Sequence, residues 1–144
     1  MQSFPHHYKV NGQSAPSGDV NLSADGVSDL PSAPPIEFDG PGDKWSPESL
    51  LVGAVADCFI LTFRSIARAS QFEWTAINCE AEGTLDKVDK VTQFTAFHLV
   101  AKLQVPAGAN HDKARRLLEK AEQHCLITNS LSAKAHLTTE IIED

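Results

Sequence analysis

One long apolar segment, residues 46–70, constrains the fold more than any other part of this 144-residue sequence. Ser46 can cap free backbone amides, Pro47 suits the first helical position, and Glu48 complements the positive end of a helix. The segment therefore predicts a helix that ends at about Ser70. Apolar residues occupy nearly all of its faces, which predicts burial on every side. In a domain this small, a second subunit is one way to supply that cover.

The first 45 residues are polar and rich in turn-forming residues. Short alternating segments at 8–10 and 20–24, separated by Asn-Gly and Pro-Ser-Gly, predict an antiparallel meander. Prolines at 31, 34 and 35 then predict an irregular crossing, with residues 36–38 as a further short strand.

The remainder of the chain predicts two strands, a helix and a last strand. Alternating apolar residues predict both strands, and Asn110 is suited to cap the helix. The predicted segments are strands over 77–81 and 97–105 joined by an exposed connection at 86–90, a helix over 111–125, and a strand over 135–141. This order predicts a single α+β domain spanning residues 1–144 rather than a wound parallel sheet.

Charge and composition exclude several classes of function. Twelve Lys and Arg residues against 19 Asp and Glu residues give a formal net charge of −7. The basic footprint of a nucleic-acid-binding protein is therefore missing, and an anionic membrane surface is an equally poor partner. The N-terminus lacks the charged start and apolar run of a signal peptide, so we expect a cytoplasmic protein.

Three cysteines, Cys58, Cys79 and Cys125, raise the question of redox chemistry. Their spacing is too wide for a zinc clip, and the His6-His7 pair lacks a third ligand, so we expect no metal or cofactor. Cys79 lies on the inward face of an alternating strand and is interpreted as a small core residue.

Cys58 and Cys125 leave two interpretations open. Each lies on a predicted helix, where a cysteine most often serves as a small apolar core residue. Each is also flanked by polar groups, and two thiols on helices that pack together can form a peroxidatic and resolving pair. Such a pair reduces a peroxide through a sulfenic acid and closes to a disulfide.

Two separated blocks of sequence resemble the OsmC/Ohr family, the osmotically inducible and organic-hydroperoxide-resistance proteins. Residues 46–59, SPESLLVGAVADCF, resemble the central-helix signature, in which a proline–acid pair precedes a mid-helix Cys-Phe. Residues 119–131, EKAEQHCLITNSL, are similar to the second cysteine block. The resemblance covers essentially the whole chain, since length, element order and both cysteine positions agree.

The resemblance implies a fold and an activity. The fold would be an intertwined homodimer in which antiparallel sheets wrap around long central helices. The activity would be reduction of organic hydroperoxides, with an external dithiol as reductant. Carried over residue by residue, Cys58 would be the peroxidatic cysteine, Cys125 the resolving cysteine, and Glu48 the acid that organises the site.

One feature of the family's peroxidases is missing from this sequence. They use an arginine from the N-terminal strands, and no arginine precedes Arg64 here. An alternative is therefore a divergent dimer that is non-catalytic or binds a small apolar ligand. Glu48 and Cys58 also lie ~15 Å apart on a straight helix. A site that contains both must join two subunits or involve a break near Gly53.

Overall fold

The computed structural model describes all 144 residues, which form two compact units, Met1–Leu50 and Leu51–Asp144. The predicted α+β class is confirmed. The assignment of residues 1–144 to a single domain stays a prediction.

The Met1–Leu50 unit contains a small antiparallel sheet with strand order β1-β2-β3. Its strands are β1 (Asn11–Gln13), β2 (Val20–Ser23) and β3 (Leu30–Ser32). The meander is therefore confirmed, although the first strand lies at Asn11–Gln13 and not at residues 8–10. Few side chains are buried in this unit, namely those of Ser32, Ala33 and Ser46.

The prediction of a strand at residues 36–38 is wrong, because Ile36–Phe38 form a 3₁₀ turn. The Phe38 amide donates to the Pro35 carbonyl at 2.9 Å, and Asp39 adopts the left-handed conformation with φ 63°. Alternation over only three residues is compatible with a strand and with a 3₁₀ turn. The preceding prolines favour the turn, because they provide no amide hydrogen for strand pairing.

Helix α1 (Pro47–Ala69) begins where the sequence predicts. The Ser46 hydroxyl accepts a hydrogen bond from the Ser49 amide at 3.1 Å, and the Ser49 hydroxyl accepts one from the Ser46 amide at 2.9 Å. This reciprocal pair satisfies two of the backbone donors that a helix start leaves free. The helix continues without interruption through Gly53.

The Leu51–Asp144 unit is built around a second sheet with strand order β4-β5-β6. Strands β4 (Ala76–Val88) and β5 (Val91–Val105) form a long antiparallel hairpin that turns at Asp89 and Lys90, both with positive φ. Strand β6 (Lys134–Glu143) pairs with β5 in parallel. The second sheet is therefore mixed, whereas the resemblance implies antiparallel sheets.

The parallel pairing of β5 and β6 requires a crossover connection, and α2 (His111–Gln123) with α3 (Leu126–Asn129) supplies it. Asn110 caps α2 as predicted, with its side chain accepting from the Lys113 amide at 3.0 Å. The Lys113 ammonium donates to the Ser70 carbonyl just past the end of α1, at 3.3 Å.

One apolar core joins α1, α2 and the inner face of the second sheet. The apolar residues that alternate along the second half of β5 and those on the inner face of α2 are buried. The buried residues of α1 recur every four positions and form one stripe. The core consists of the α1 stripe Val55, Phe59, Phe63 and Ala67, the β5 residues Phe97, Leu99, Ala101, Leu103 and Val105, and the α2 residues Ala114, Leu117, Leu118 and Ala121.

Much of α1 lies outside this core in the single chain. Its most apolar 18-residue window has a mean hydropathy of 1.8, yet only 22% of that window is buried. By length and composition alone, α1 could span a membrane. Its Phe59 and Phe63, however, belong to the core that it shares with β5. Leu61, at 51% exposed, lies on the uncovered part of the helix.

The close approach of α1 to β4 generates a stability prediction. A Cβ added at Gly83 would lie 2.8 Å from Val52 Cγ2 and 2.9 Å from Phe94 Cε1, closer than packed carbons tolerate. We expect Gly83→Ala to lower the free energy of unfolding by about 1–3 kcal/mol through overpacking. Urea denaturation measures this change. In a Val52→Ala background, Gly83→Ala should lower the free energy of unfolding by a smaller amount. A Gly83→Ala protein as stable as the wild type would contradict the prediction.

Candidate functional site

Cys58 lies on α1 directly before the buried Phe59. Successive residues on a helix are separated by about 100°, so Cys58 lies beside the buried stripe and is itself half-buried. Its Sγ is 3.9 Å from Thr62 Oγ1, one helical turn further along. The thiol is therefore held at the boundary between the core and an accessible surface.

Cys125 does not lie on α2, as the sequence predicts, but between α2 and α3. Helix α2 ends at Gln123, and Cys125 adopts an extended conformation at the position that precedes α3. The side chain of Cys125 is only 1% exposed. The hydroxyl of Thr128, which is also buried, donates to the Cys125 carbonyl at 3.1 Å.

The structure brings the thiols of Cys58 and Cys125 together, although 67 positions separate them in the sequence. Burial raises the pKa of the Cys125 thiol, and its interactions with the side chain of Cys58 raise this pKa as well. The hydroxyl and the backbone amide of Thr128 act in the opposite direction. Cys125 is therefore a protonated thiol beside the more accessible Cys58.

Cys58 opens onto a cavity of about 460 Å³ within the Leu51–Asp144 unit. The cavity is lined mainly by small and apolar residues from α1 and α3, and no lysine or arginine lines it. The lining residues are Ala54, Asp57, Cys58, Leu61, Thr62, Ser65, Leu126 and Ile127. This volume lies within the ~300–1,000 Å³ range of small-molecule sites. An apolar molecule with a small reactive end could therefore reach the Cys58 sulfur.

The third cysteine, Cys79, packs against the core from β4. Burial raises the pKa of its thiol from 9.0 to about 11, and Cys125 raises it as well. The interpretation of Cys79 as a small core residue fits this position. Its interaction with Cys125 was not expected from the sequence, because β4 and the α2–α3 junction are distant in the chain.

Glu48 lies in the first turn of α1, ten residues before Cys58. Because α1 is unbroken at Gly53, those ten residues span ~15 Å along one helix. The structure therefore removes the possibility of a helix break that would bring the two side chains together. Oε1 of Glu48 is buried and has no hydrogen-bond partner.

Two lysines, Lys9 and Lys44, precede α1 in the chain. Lys44 pairs with Asp19 at 3.6 Å, and Lys9 is exposed. Arg64 and Arg68 are exposed on α1 and are absent from the lining of the Cys58 cavity.

The sequence predicts no role for the two threonines beside the thiols, Thr62 and Thr128. Thr62 follows Cys58 by four positions, which is one helical turn and is visible in the sequence. Thr128 follows Cys125 by three positions, which is the spacing between the N-cap residue of a helix and a residue in its first turn. This spacing can be interpreted only after α3 has been identified in the structure.

The raised pKa of Cys79 generates a reactivity prediction. At pH 8, iodoacetamide should label Cys79 roughly a hundredfold more slowly than an unperturbed thiol. The reason is that a rise in pKa from 9.0 to about 11 lowers the amount of reactive thiolate at this pH by about that factor. The labelling rate should keep rising between pH 10 and 11, where a thiol with a pKa of 9.0 has levelled off. Peptide mass spectrometry measures the rate for each cysteine. A Cys79 rate that has already reached its plateau at pH 10 would contradict the prediction.

The chain is similar to known proteins in sequence and in fold. The pattern of the family described as "OsmC-like protein" matches residues 40–140. The chain is 28% identical over 109 residues to an uncharacterized Bacillus subtilis protein, YmaD, covering 74% of this chain and 73% of that protein. It is 29% identical over 101 residues to the peroxiredoxin OsmC of Escherichia coli, covering 69% of this chain and 70% of that protein.

The fold also matches solved structures. An OsmC-like protein of unknown function from Vibrio cholerae superimposes with a TM-score of 0.85 at 20% identity, covering 96% of this chain and 100% of that one. The family pattern spans Cys58, Cys125 and the whole of α1. The chain therefore belongs to the OsmC-like protein family.

Proposed function

We propose that this protein is a thiol-dependent peroxidase that reduces organic hydroperoxides in defence against oxidative stress. Cys58 is the peroxidatic cysteine and Cys125 the resolving cysteine. The protein acts in the cytoplasm as a homodimer, and an external dithiol reduces it after each turnover. The observation that carries this proposal is the contact between an accessible Cys58 and a buried Cys125 beside a cavity lined mainly by apolar groups.

The reaction follows from the unequal positions of the two thiols. The Cys58 thiolate attacks the distal oxygen of the hydroperoxide, the O–O bond breaks, and the alcohol leaves with one proton. Cys58 is thereby oxidised to a sulfenic acid. The Cys125 sulfur then attacks the Cys58 sulfur, and water leaves as the disulfide forms. An external dithiol returns both sulfurs to thiols by exchange.

The apolar lining of the Cys58 cavity supports an organic substrate. Side chains such as Leu61 and Ile127 can cover an alkyl chain, whereas hydrogen peroxide would leave them uncovered. Removing an alkyl group from water contributes about 0.8 kcal/mol per methylene. We therefore propose that affinity increases with the length of the alkyl group.

The role of Glu48 in this proposal requires two copies of the chain. An unbroken α1 holds Glu48 and Cys58 of one chain ~15 Å apart along the helix. Glu48 therefore serves the Cys58 of a second copy and organises the site from there.

The alternative is a non-catalytic dimer of the same fold that binds a small ligand. It is favoured by the lack of any cation among the residues that line the Cys58 cavity. A thiolate normally requires a nearby positive charge, a helix N-terminus or a metal, and Cys58 lies about three turns into α1.

Turnover and disulfide formation separate the two functions. With an alkyl hydroperoxide and excess dithiol, the wild type should consume peroxide. Cys58→Ser should reduce the rate at least a hundredfold, because it removes the nucleophile. Cys79→Ser is the matched control and should remain within about twofold, since Cys79 takes no part in the steps above.

Mass spectrometry of the peroxide-treated wild type should show a Cys58–Cys125 disulfide and a free Cys79. A disulfide requires Cα atoms within about 7 Å, which the neighbouring thiols can satisfy. A crosslink to Cys79, or over-oxidation of Cys58 without a crosslink, would favour the ligand-binding alternative.

A dimer would cover the apolar surface of α1 that the single chain leaves uncovered. Light scattering at micromolar concentration should therefore give twice the mass of one chain. We expect Leu61→Lys to shift the protein toward monomer, because it buries a charge in the proposed interface. Leu85→Lys, at a residue that is 38% exposed on β4, is the control. A well-folded wild-type monomer would contradict the dimer.

A further inference from the structure

The part of the Cys58 cavity wall that α1 provides is a single face of that helix. Residues three or four positions apart on a helix share a face, and the α1 residues of the wall have this spacing. They are Ala54, Asp57, Cys58, Leu61, Thr62 and Ser65. Asp57 therefore lies on the same face as the Cys58 sulfur and directly precedes Cys58 in the chain.

Asp57 is the only residue of the cavity wall that carries a charge. The residue is exposed and takes part in none of the ion pairs of the chain. An exposed carboxylate is ionised at neutral pH. The rest of the wall offers apolar groups, hydroxyls and the Cys58 thiol, and none of these neutralises a negative charge. A single uncompensated negative charge therefore lies beside the nucleophile.

This charge acts differently on neutral and anionic substrates. An uncharged alkyl hydroperoxide buries mainly apolar surface when it enters the cavity. A hydroperoxide with its own carboxylate must leave water without gaining a cation, and it meets a second negative charge at Asp57. The net charge of −7 repels anions from the whole surface, whereas Asp57 repels them at the reacting sulfur.

We propose that Asp57 is a specificity residue that restricts Cys58 to organic hydroperoxides without a negative charge near the peroxide group. This inference rests on the proposed peroxidase function and names its substrate class. Asp57 takes no part in the exchange of bonds at sulfur. It lowers the local concentration of anionic substrates at Cys58 and leaves access open to uncharged ones.

Alkylation of Cys58 measures this selection without any peroxide. Iodoacetate and iodoacetamide have nearly the same size and form the same bond to sulfur, but only iodoacetate is negatively charged. Both react with the thiolate, so the ratio of their rates does not depend on the fraction of Cys58 that is ionised. In ~10 mM salt, this alkylation ratio, iodoacetate over iodoacetamide, should be at least about threefold lower at Cys58 than for β-mercaptoethanol. Peptide mass spectrometry follows Cys58 separately from the other two thiols.

Three variants assign the selection to Asp57. Asp57→Asn removes the charge at constant size and should raise the alkylation ratio at least about threefold. Asp57→Glu keeps the charge and should retain the wild-type ratio. Glu80→Gln is the matched control, because Glu80 is exposed on β4 and absent from the cavity wall, and it should also retain the wild-type ratio. Circular dichroism checks the fold of each variant, and Asp57→Ser replaces Asp57→Asn if that variant does not fold.

Salt provides a test on the wild type itself. Raising the salt concentration from ~10 mM to ~1 M shortens the Debye length from ~30 Å to ~3 Å. The alkylation ratio of the wild type, measured against that of β-mercaptoethanol, should then rise to the ratio of Asp57→Asn. A wild-type ratio that stays low at the higher salt concentration would show a steric cause and overturn the proposal.

Turnover of two hydroperoxides tests the proposal on substrates. One is a short tertiary alkyl hydroperoxide with a terminal carboxylate, and the other is its primary amide. The wild type should have a kcat/KM at least about threefold lower for the carboxylate, and Asp57→Asn should remove this difference. If neither compound is consumed while the alkylation ratio still responds to Asp57, the proposed peroxidase function fails, and selection against negative charge at Cys58 is supported.

Three results would overturn the proposal whether or not peroxide is consumed. The alkylation ratio of Asp57→Asn could equal that of the wild type. Glu80→Gln could raise the ratio as much as Asp57→Asn does, which would assign the effect to the net charge of the chain. The wild-type ratio could also match or exceed that of β-mercaptoethanol, which would show that a cation, for example from a second copy, offsets Asp57.

Discussion

The arrangement of the Leu51–Asp144 unit depends on the burial of one stripe of α1. Val55, Phe59 and Phe63 have no exposed surface and share a core with the inner face of β5. This packing fixes the rotation of the helix about its axis. The residue before Phe59 must then lie at the edge of the core, which places the Cys58 sulfur between buried apolar groups and the open cavity. A rotation of α1 by one residue would exchange these positions and remove the site.

The long segments were predicted well because each carries its own signal. Ser46 and Asn110 mark the helix starts with side chains that cap them in the structure. The alternation from Phe97 to Val105 identifies β5 and its buried face, because one side of the strand faces the core along its whole length. Both redox candidates, Cys58 and Cys125, were also identified from the sequence, and the fold brings them together.

The features that sequence reasoning missed depend on partners distant in the chain. The alternation within β6 is the same whether its neighbour is parallel or antiparallel, so its direction could not be predicted from residues 135–141. The turn at Ile36–Phe38 has only three residues, too few for the spacing of apolar residues to distinguish a strand from a helical turn. The unsatisfied oxygen of Glu48 is likewise invisible in the sequence, since burial of an acceptor and the absence of a donor are properties of the folded chain.

The parallel pairing of β5 with β6 has a consequence for the order of folding. The β4–β5 hairpin joins neighbouring segments and can form early, because closing its two-residue turn loses little chain entropy. Cys125 lies in the crossover between β5 and β6, so its position is secured only after the most C-terminal strand has paired. Contacts of long sequence separation form slowly. During synthesis, Cys58 is thus in place on its helix before the thiol that it meets in the folded protein, and for that interval the chain carries one accessible sulfur without its neighbour.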